Sequence, residues 1–186
     1  MHNSKRFTPF TDGNGRIGRA LINAILRAPG LTQHTVIPIA SALASSRENH
    51  FASLESFRNG DLEPILRSFA AATRIAADES LATANNLIKI SLDWQHVLGR
   101  SRKDSAPNRL LEPLQTQPAI PAVDAQKWLG VGTRGTYAAL ARLETFGIIH
   151  SFTSRQRNQV WAASAILQKL DDLDSRIHTE FRATIG

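Results

Sequence analysis

Cysteine is missing from all 186 residues. Its absence excludes a disulfide scaffold, a cysteine-ligated zinc site and a thiol nucleophile together, and it fits a reducing compartment. Long apolar runs are missing too: no stretch approaches the ~18 residues that a membrane-spanning helix needs. The opening Met-His-Asn-Ser-Lys-Arg-Phe puts no apolar run behind its two basic residues, so it does not read as a secretory signal. A cytoplasmic protein without membrane association is the expectation. A dense basic face is the third absence. Net charge is +6, yet residues 1–117 hold 14 Lys+Arg against 10 Asp+Glu, and residues 118–186 hold 8 against 6. Neither balance is the strongly basic one usual for nonspecific nucleic-acid binding. The six histidines (2, 34, 50, 96, 150 and 178) show no pairing at metal-ligand spacing and read as scattered imidazoles.

What remains is ample for folding. Apolar residues make up 42% of the chain and charged ones 20%, which excludes wholesale disorder. The length suits one ordinary domain or two small ones. Four of the eight prolines fall within residues 100–121. Proline lacks a backbone donor and turns the preceding residue away from helix. This stretch predicts a boundary: a first domain over 1–100, a linker over 101–117 with a short helical turn near Leu110–Leu114, and a second domain over 118–186.

The first segment reads as helical, with no strand-like alternation and no repeat. Ile17, Ala20, Leu21, Ala24, Ile25 and Ala28 recur at three- and four-residue steps and predict one buried face. Later helices or a second copy of the chain are expected to cover it. Pro29-Gly30 stops that helix. Further helices are predicted from Pro38 towards Ser45, from Asn49 to Phe57, and from Leu62 to about Leu98 as one long helix or two in tandem. In the second segment, Val123–Leu129 and Thr133–Phe146 read as helices around the Gly130/Gly132 turn, with Ala139, Leu140 and Leu143 inward. Ile148–Phe152 and Gln159–Ala163 read as short strands, and Ile166–Arg182 as a closing helix. Helix, turn, helix and hairpin is the order of a winged helix-turn-helix. The fold class expected is mainly α, followed by a small α+β unit. Trp94, in helical register with Ile90 and Leu98, reads as core; Trp128 reads as packing; Trp161 lies on a strand and could face either way.

Chemistry concentrates in Thr8-Pro9-Phe10-Thr11-Asp12-Gly13-Asn14-Gly15-Arg16-Ile17-Gly18-Arg19. It reads as a tight loop opening into a helix. Gly13 and Gly15 admit backbone conformations closed to residues with a Cβ, and Asn14 tolerates the left-handed region. Free amides at the helix start make an anion site. Arg16 and Arg19, three apart, share a face and can grip one polyphosphate. Asp12 is the carboxylate beside these donors, and carboxylate plus phosphate oxygens is the usual way to hold Mg²⁺. The plain alternative is a capped turn with solvated arginines.

This stretch resembles the signature of the Fic family, His-Pro-Phe-x-x-Gly-Asn-Gly-Arg-x-x-Arg, over Pro9 to Arg19 without a gap. Ile37-Pro38-Ile39 and Phe57-Arg58-Asn59-Gly60-Asp61, ahead of a long helix, are similar to the segments that follow it, and a C-terminal winged helix is a frequent companion. The resemblance implies a helical domain that moves AMP from Mg·ATP to a hydroxyl of a target protein. It implies Asp12 as the Mg²⁺ ligand, Gly13, Asn14 and Gly15 as the anion nest, and Arg16 and Arg19 on the outer phosphates. Two departures follow. Thr8 stands where the family has its general-base histidine, and an aliphatic hydroxyl has no useful basicity near neutral pH, at a typical cost of ~10²–10⁴ in rate. The helices and target-docking hairpin that precede the motif in the family are absent upstream of residue 8, so the chain resembles the later part of a Fic domain. The family's inhibitory Ser/Thr-x-x-x-Glu-Gly/Asn pattern is not apparent.

Two other functional readings accompany the impaired transferase: a nucleotide-binding pseudoenzyme, and a DNA-binding or docking regulator acting through residues 118–186. For the latter, Thr133, Arg134, Thr136 and Tyr137 open the second helix of the motif, and Arg155, Gln156, Arg157 and Asn158 form the wing. These groups suit phosphate and base-edge contacts. The partners expected are ATP with Mg²⁺, a target protein, DNA as an option, and a second copy of the chain.

Overall fold

From Glu63 to Leu98 the chain forms one uninterrupted 36-residue helix, the longest of the eight α-helices that the described residues form in the computed structural model. The structure describes residues 12–30, 32, 36–99, 104–152 and 159–185, and it is mainly α-helical among them. The helices are α1 (Asn14–Arg27), α2 (Ile39–Ser45), α3 (Arg47–Arg58), α4 (Glu63–Leu98), α5 (Ala106–Thr116), α6 (Ala122–Leu129), α7 (Thr133–Thr145) and α8 (Ser164–Ile185). Three short strands, β1 (Ala119–Pro121), β2 (His150–Ser151) and β3 (Val160–Ala162), complete the set.

The chain divides into two compact units, and α4 and α8 each contribute to both. The first unit takes residues up to Leu81 and those from Leu173 onward. Its core joins Ile39 and Ala42 of α2, Ala72, Ile75 and Ala76 of α4, and Ile177 and Phe181 of α8. Ala42, Ala72 and Ala76 lack bulk, so their helices can approach closely while Ile75, Ile177 and Phe181 fill the space between them. Polar contacts fasten the same join. Ser41 Oγ donates to Asp174 Oδ1 at 2.7 Å and lies 2.9 Å from His178 Nε2. Arg182 Nε donates to the Ser45 carbonyl at 2.9 Å, and Arg176 Nε to Glu79 Oε2 at 2.6 Å.

The face that α1 buries differs from the one its periodicity predicts. Ile22 and Leu26 pack against this core. Leu21 and Ile25 of the predicted stripe are 54% and 67% exposed, and Ala20, Ala24 and Ala28 are exposed with them. The helix is apolar around more than half of its circumference. Sequence period alone therefore finds two adjacent apolar faces, and the partner that arrives selects one.

The second unit runs from Ala82 to Asp172. Its core gathers Trp94 and Leu98 of α4, Leu110, Leu111 and Leu114 of α5, Leu129 of α6, Ala139, Leu140 and Leu143 of α7, and Ile120 and Trp161 of the strands. The stretch expected as a linker with a short turn near Leu110–Leu114 holds the longer helix α5. Pro107 sits in the first turn of α5, where no donor is required, and Pro113 in its last turns costs little where the helix is about to stop. Three buried leucines on one face outweigh those proline signals. β1 pairs antiparallel with β3, Ile120 opposite Trp161, and β2 pairs antiparallel with the other edge of β3, giving the order β1-β3-β2. Pro121 is tolerated because β1 is an edge strand. Ile148 and Ile149, predicted to open a strand, are buried but precede β2. Gly130, at φ +62°, makes the turn out of α6.

Candidate functional site

The start of α1 is built by a single left-handed residue. Gly13 takes φ +78°, where a side chain is strained, and its carbonyl accepts the first helical bond from the Ile17 amide at 3.0 Å. No side chain among the described residues caps this end. Asp12 turns its carboxylate towards the loop instead, its Oδ1 accepting from the Gly13 amide at 2.6 Å. The first-turn amides that follow have no intrahelical acceptor and point out of the helix.

Both arginines of the motif lean back over that end. A Cβ placed on Gly13 would stand 3.7 Å from Arg16 Nη2, and one on Gly15 would stand 3.7 Å from Arg19 Nη1. Helical side chains tilt towards the N-terminus, so arginines in the second turn reach the loop by default. Two guanidinium groups therefore meet the positive end of the helix dipole. Asp12 Oδ2, 3.6 Å from Arg16 Nη2, is the carboxylate that offsets them. That pair is largely exposed and contributes little by itself. A cation beside Gly13 and another beside Gly15, at a helix start whose first amides lack intrahelical acceptors, suit an anion.

The donor set also bears on metal. No cluster of three or more His, Asp or Glu side chains occurs among the described residues. Asp12 is one carboxylate beside two arginines, which fits Mg²⁺ only where phosphate oxygens and water complete the shell and does not fit an all-protein cage. Thr8 lies outside the described residues.

The predicted nucleic-acid set is placed unevenly. Arg134 and Thr133 are exposed at the start of α7. Thr136 is 1% exposed, and its hydroxyl donates to the Gly132 carbonyl at 3.3 Å, so it serves the helix start and offers no surface to a ligand. Tyr137 is half-buried, its ring 5.7 Å from that of Trp161 and edge-on to it. Trp161 thus faces inward. Arg155 and Arg157 lie outside the described residues. Sequence reasoning missed the cluster of Ser41, Asp174 and His178. Asp174 and His178 stand four apart on α8, but nothing in the sequence signals that Ser41, 133 and 137 residues distant, meets them.

Comparison with known proteins reaches part of the chain. No family model matches the chain. Over 101 residues, 54% of its length, the chain is 31% identical to the protein adenylyltransferase Fic of Nematostella vectensis, covering 22% of that protein. Over 62 residues, 33% of its length, it is 39% identical to the protein adenylyltransferases fic-1 of Caenorhabditis briggsae and Caenorhabditis elegans, covering 11% of each. The chain thus spans less than a quarter of the length of these curated relatives. Over a third to a half of its own length it is similar to proteins named Fic adenylyltransferases, a partial relationship of modest identity.

Proposed function

We propose that the chain is a Fic-type nucleotide-binding protein whose α1 loop holds the phosphates of Mg·ATP and whose AMP transfer is impaired. The observation that carries this reading is the placement of Arg16 beside Gly13 and Asp12, and of Arg19 beside Gly15, at the left-handed start of α1. Gly13, its own amide taken by Asp12, turns the loop so that the amides of Asn14 and Gly15 face the phosphate oxygens, Arg16 and Arg19 supply charge, and Asp12 shares Mg²⁺ with the phosphates. In the transfer reaction a target hydroxyl attacks the α-phosphorus, the bond to the β-phosphate bridge breaks, and pyrophosphate leaves. The hydroxyl proton needs an acceptor. Thr8 offers none, so binding persists while transfer fails. Labelled ATP tests this directly. The full chain is expected to retain nucleotide and to place no label on itself or on lysate proteins; robust labelling overturns the impairment.

A second reading concerns Ala119 to Ala162. The order β1, α6, turn, α7, β2, β3 supports a winged helix-turn-helix, with α7 as the second helix of the motif. With Thr136 buried and Tyr137 packed on Trp161, the exposed start of α7 carries Thr133 and Arg134. That favours phosphate contact or protein docking over base reading. The proposed organisation is a Fic-type segment within 1–100 and a winged-helix segment within 118–186, joined through α5.

A further inference from the structure

On the length of α4 that belongs to the second unit, Leu87, Ile90, Trp94 and Leu98 face the core. Ile88 and Leu92 do not join them. Each is 58% exposed, and they stand four residues apart on one line of the helix. Asn85 and Gln95, both exposed, extend that line at either end. The steps from 85 to 88, 92 and 95 alternate three and four, which is the spacing of a coiled-coil seam.

The charges beside the seam supply the second observation. Lys89 and Asp93 lie on one flank of it, and both are exposed. They stand four apart on α4, yet among the described residues neither makes an ion pair. Earlier on the same helix such pairs do form, Glu63 with Arg67 and Arg74 with Asp78. The opposite flank carries Ser91, whose hydroxyl accepts from Gln115 Nε2 at 2.9 Å, and no charge between Asn85 and Gln95.

We propose that this face of α4 pairs antiparallel with the same face of a second copy of the chain. A two-fold axis level with Ile90 sets Ile88 against Leu92 of the second copy and Asn85 against its Gln95, and each contact occurs twice. The two carboxamides can donate to and accept from each other. Like flanks meet in an antiparallel pair. Lys89 therefore comes within two residues, ~3 Å along the axis, of Asp93 of the second copy. A parallel pair would set that flank against the uncharged one and leave both ions alone. Charge complementarity thus selects both the occupant and its direction. The seam rises only ~15 Å, too short to reach the ~1,200 Å² of a stable interface, so the dimer is weak, with a dissociation constant of about 0.1 mM. The pairing requires nothing of the α1 loop.

Sedimentation equilibrium of the full chain tests it. Lys89→Glu or Asp93→Lys alone should weaken self-association at least about fivefold, since each sets like charges together twice across the axis. Mixing these two variants should restore association, because opposite charges then meet at both places. That recovery also shows that both variants fold. Because the chain has no cysteine, cross-linking reads the direction cleanly. Under mild oxidant Asn85→Cys should cross-link with Gln95→Cys, and neither with itself. A chain that stays monomeric to ~0.5 mM leaves the seam to some other partner and overturns the proposal. So do single reversals without effect, a mixture no stronger than its components, or Asn85→Cys that cross-links as well alone as in the mixture.

Discussion

Arg16 reaches back along α1 until its Nη2 stands 3.6 Å from Asp12 Oδ2, so the cation and the carboxylate of the loop share one corner of the helix start. A bound polyphosphate would compete with Asp12 for that guanidinium while Asp12 turned to the metal. Charge-assisted contacts of this type contribute roughly 1.5–3 kcal/mol each. Arg16→Ala is therefore expected to weaken Mg·ADP binding at least about tenfold by calorimetry. A flat titration in the parent chain removes the nucleotide reading altogether.

Gly13 sets the loop by conformation and not by space. A Cβ there would meet Arg16 Nη2 only at an ordinary 3.7 Å, but φ is +78°. Holding a residue with a Cβ in that region costs roughly 1–2 kcal/mol. Gly13→Ala should weaken Mg·ADP binding while leaving the far-ultraviolet circular dichroism intact, and Gly13→Asn should weaken it less because asparagine tolerates the left-handed region. Equal affinities for glycine, alanine and asparagine at this position would show that the left-handed turn is dispensable.

The core contact of Phe181, 1% exposed, couples the end of α8 to α1, since Ile22 and Leu26 pack on the same cluster. Phe181→Ala should cost about 3–5 kcal/mol within that unit. Amide hydrogen exchange is the suitable measurement: protection should fall across α1 and α2 and persist in α6 and α7. Phe181→Leu should restore most of it. Unchanged protection of α1 in the alanine variant would disconnect the two helices.

For the second unit, replacing Arg134, Arg155 and Arg157 together by Glu should abolish any duplex-DNA binding of the full chain, and the parent's affinity should fall steeply with salt. A gel shift at low ionic strength decides it. No shift in the parent chain leaves docking as the surviving reading.

Much of this was legible in the sequence because it is punctuated locally. Pro29-Gly30, Asn59-Gly60 and Gly130 mark where α1, α3 and α6 stop, and the helical spacing of Ala139, Leu140 and Leu143 gives the buried face of α7 correctly. The loop ahead of α1 is legible for the same reason, since Gly13 and the two arginines lie within two turns. What escaped depends on distant partners. The buried side of α1 is chosen by a core that includes Ile177 and Phe181. α5 reads only as a short turn near Leu110–Leu114 because proline signals outweigh three leucines until α6 and α7 are there to receive them. Thr136 reads as a surface hydroxyl unless the Gly132 carbonyl is known to take it.

The late position of Ile177 and Phe181 in the chain has a consequence for biosynthesis. The first unit contains nearly all of its core by Ala76, but the residues that close it follow only after the whole second unit has been made. On the ribosome, α6, α7 and the strands can settle as a local unit while Ile39 and Ile75 wait uncovered, which inverts the usual amino-terminal-first order. A nascent chain halted before Leu173 would thus display a ready aliphatic surface to chaperones, whereas one halted after Ile185 would not.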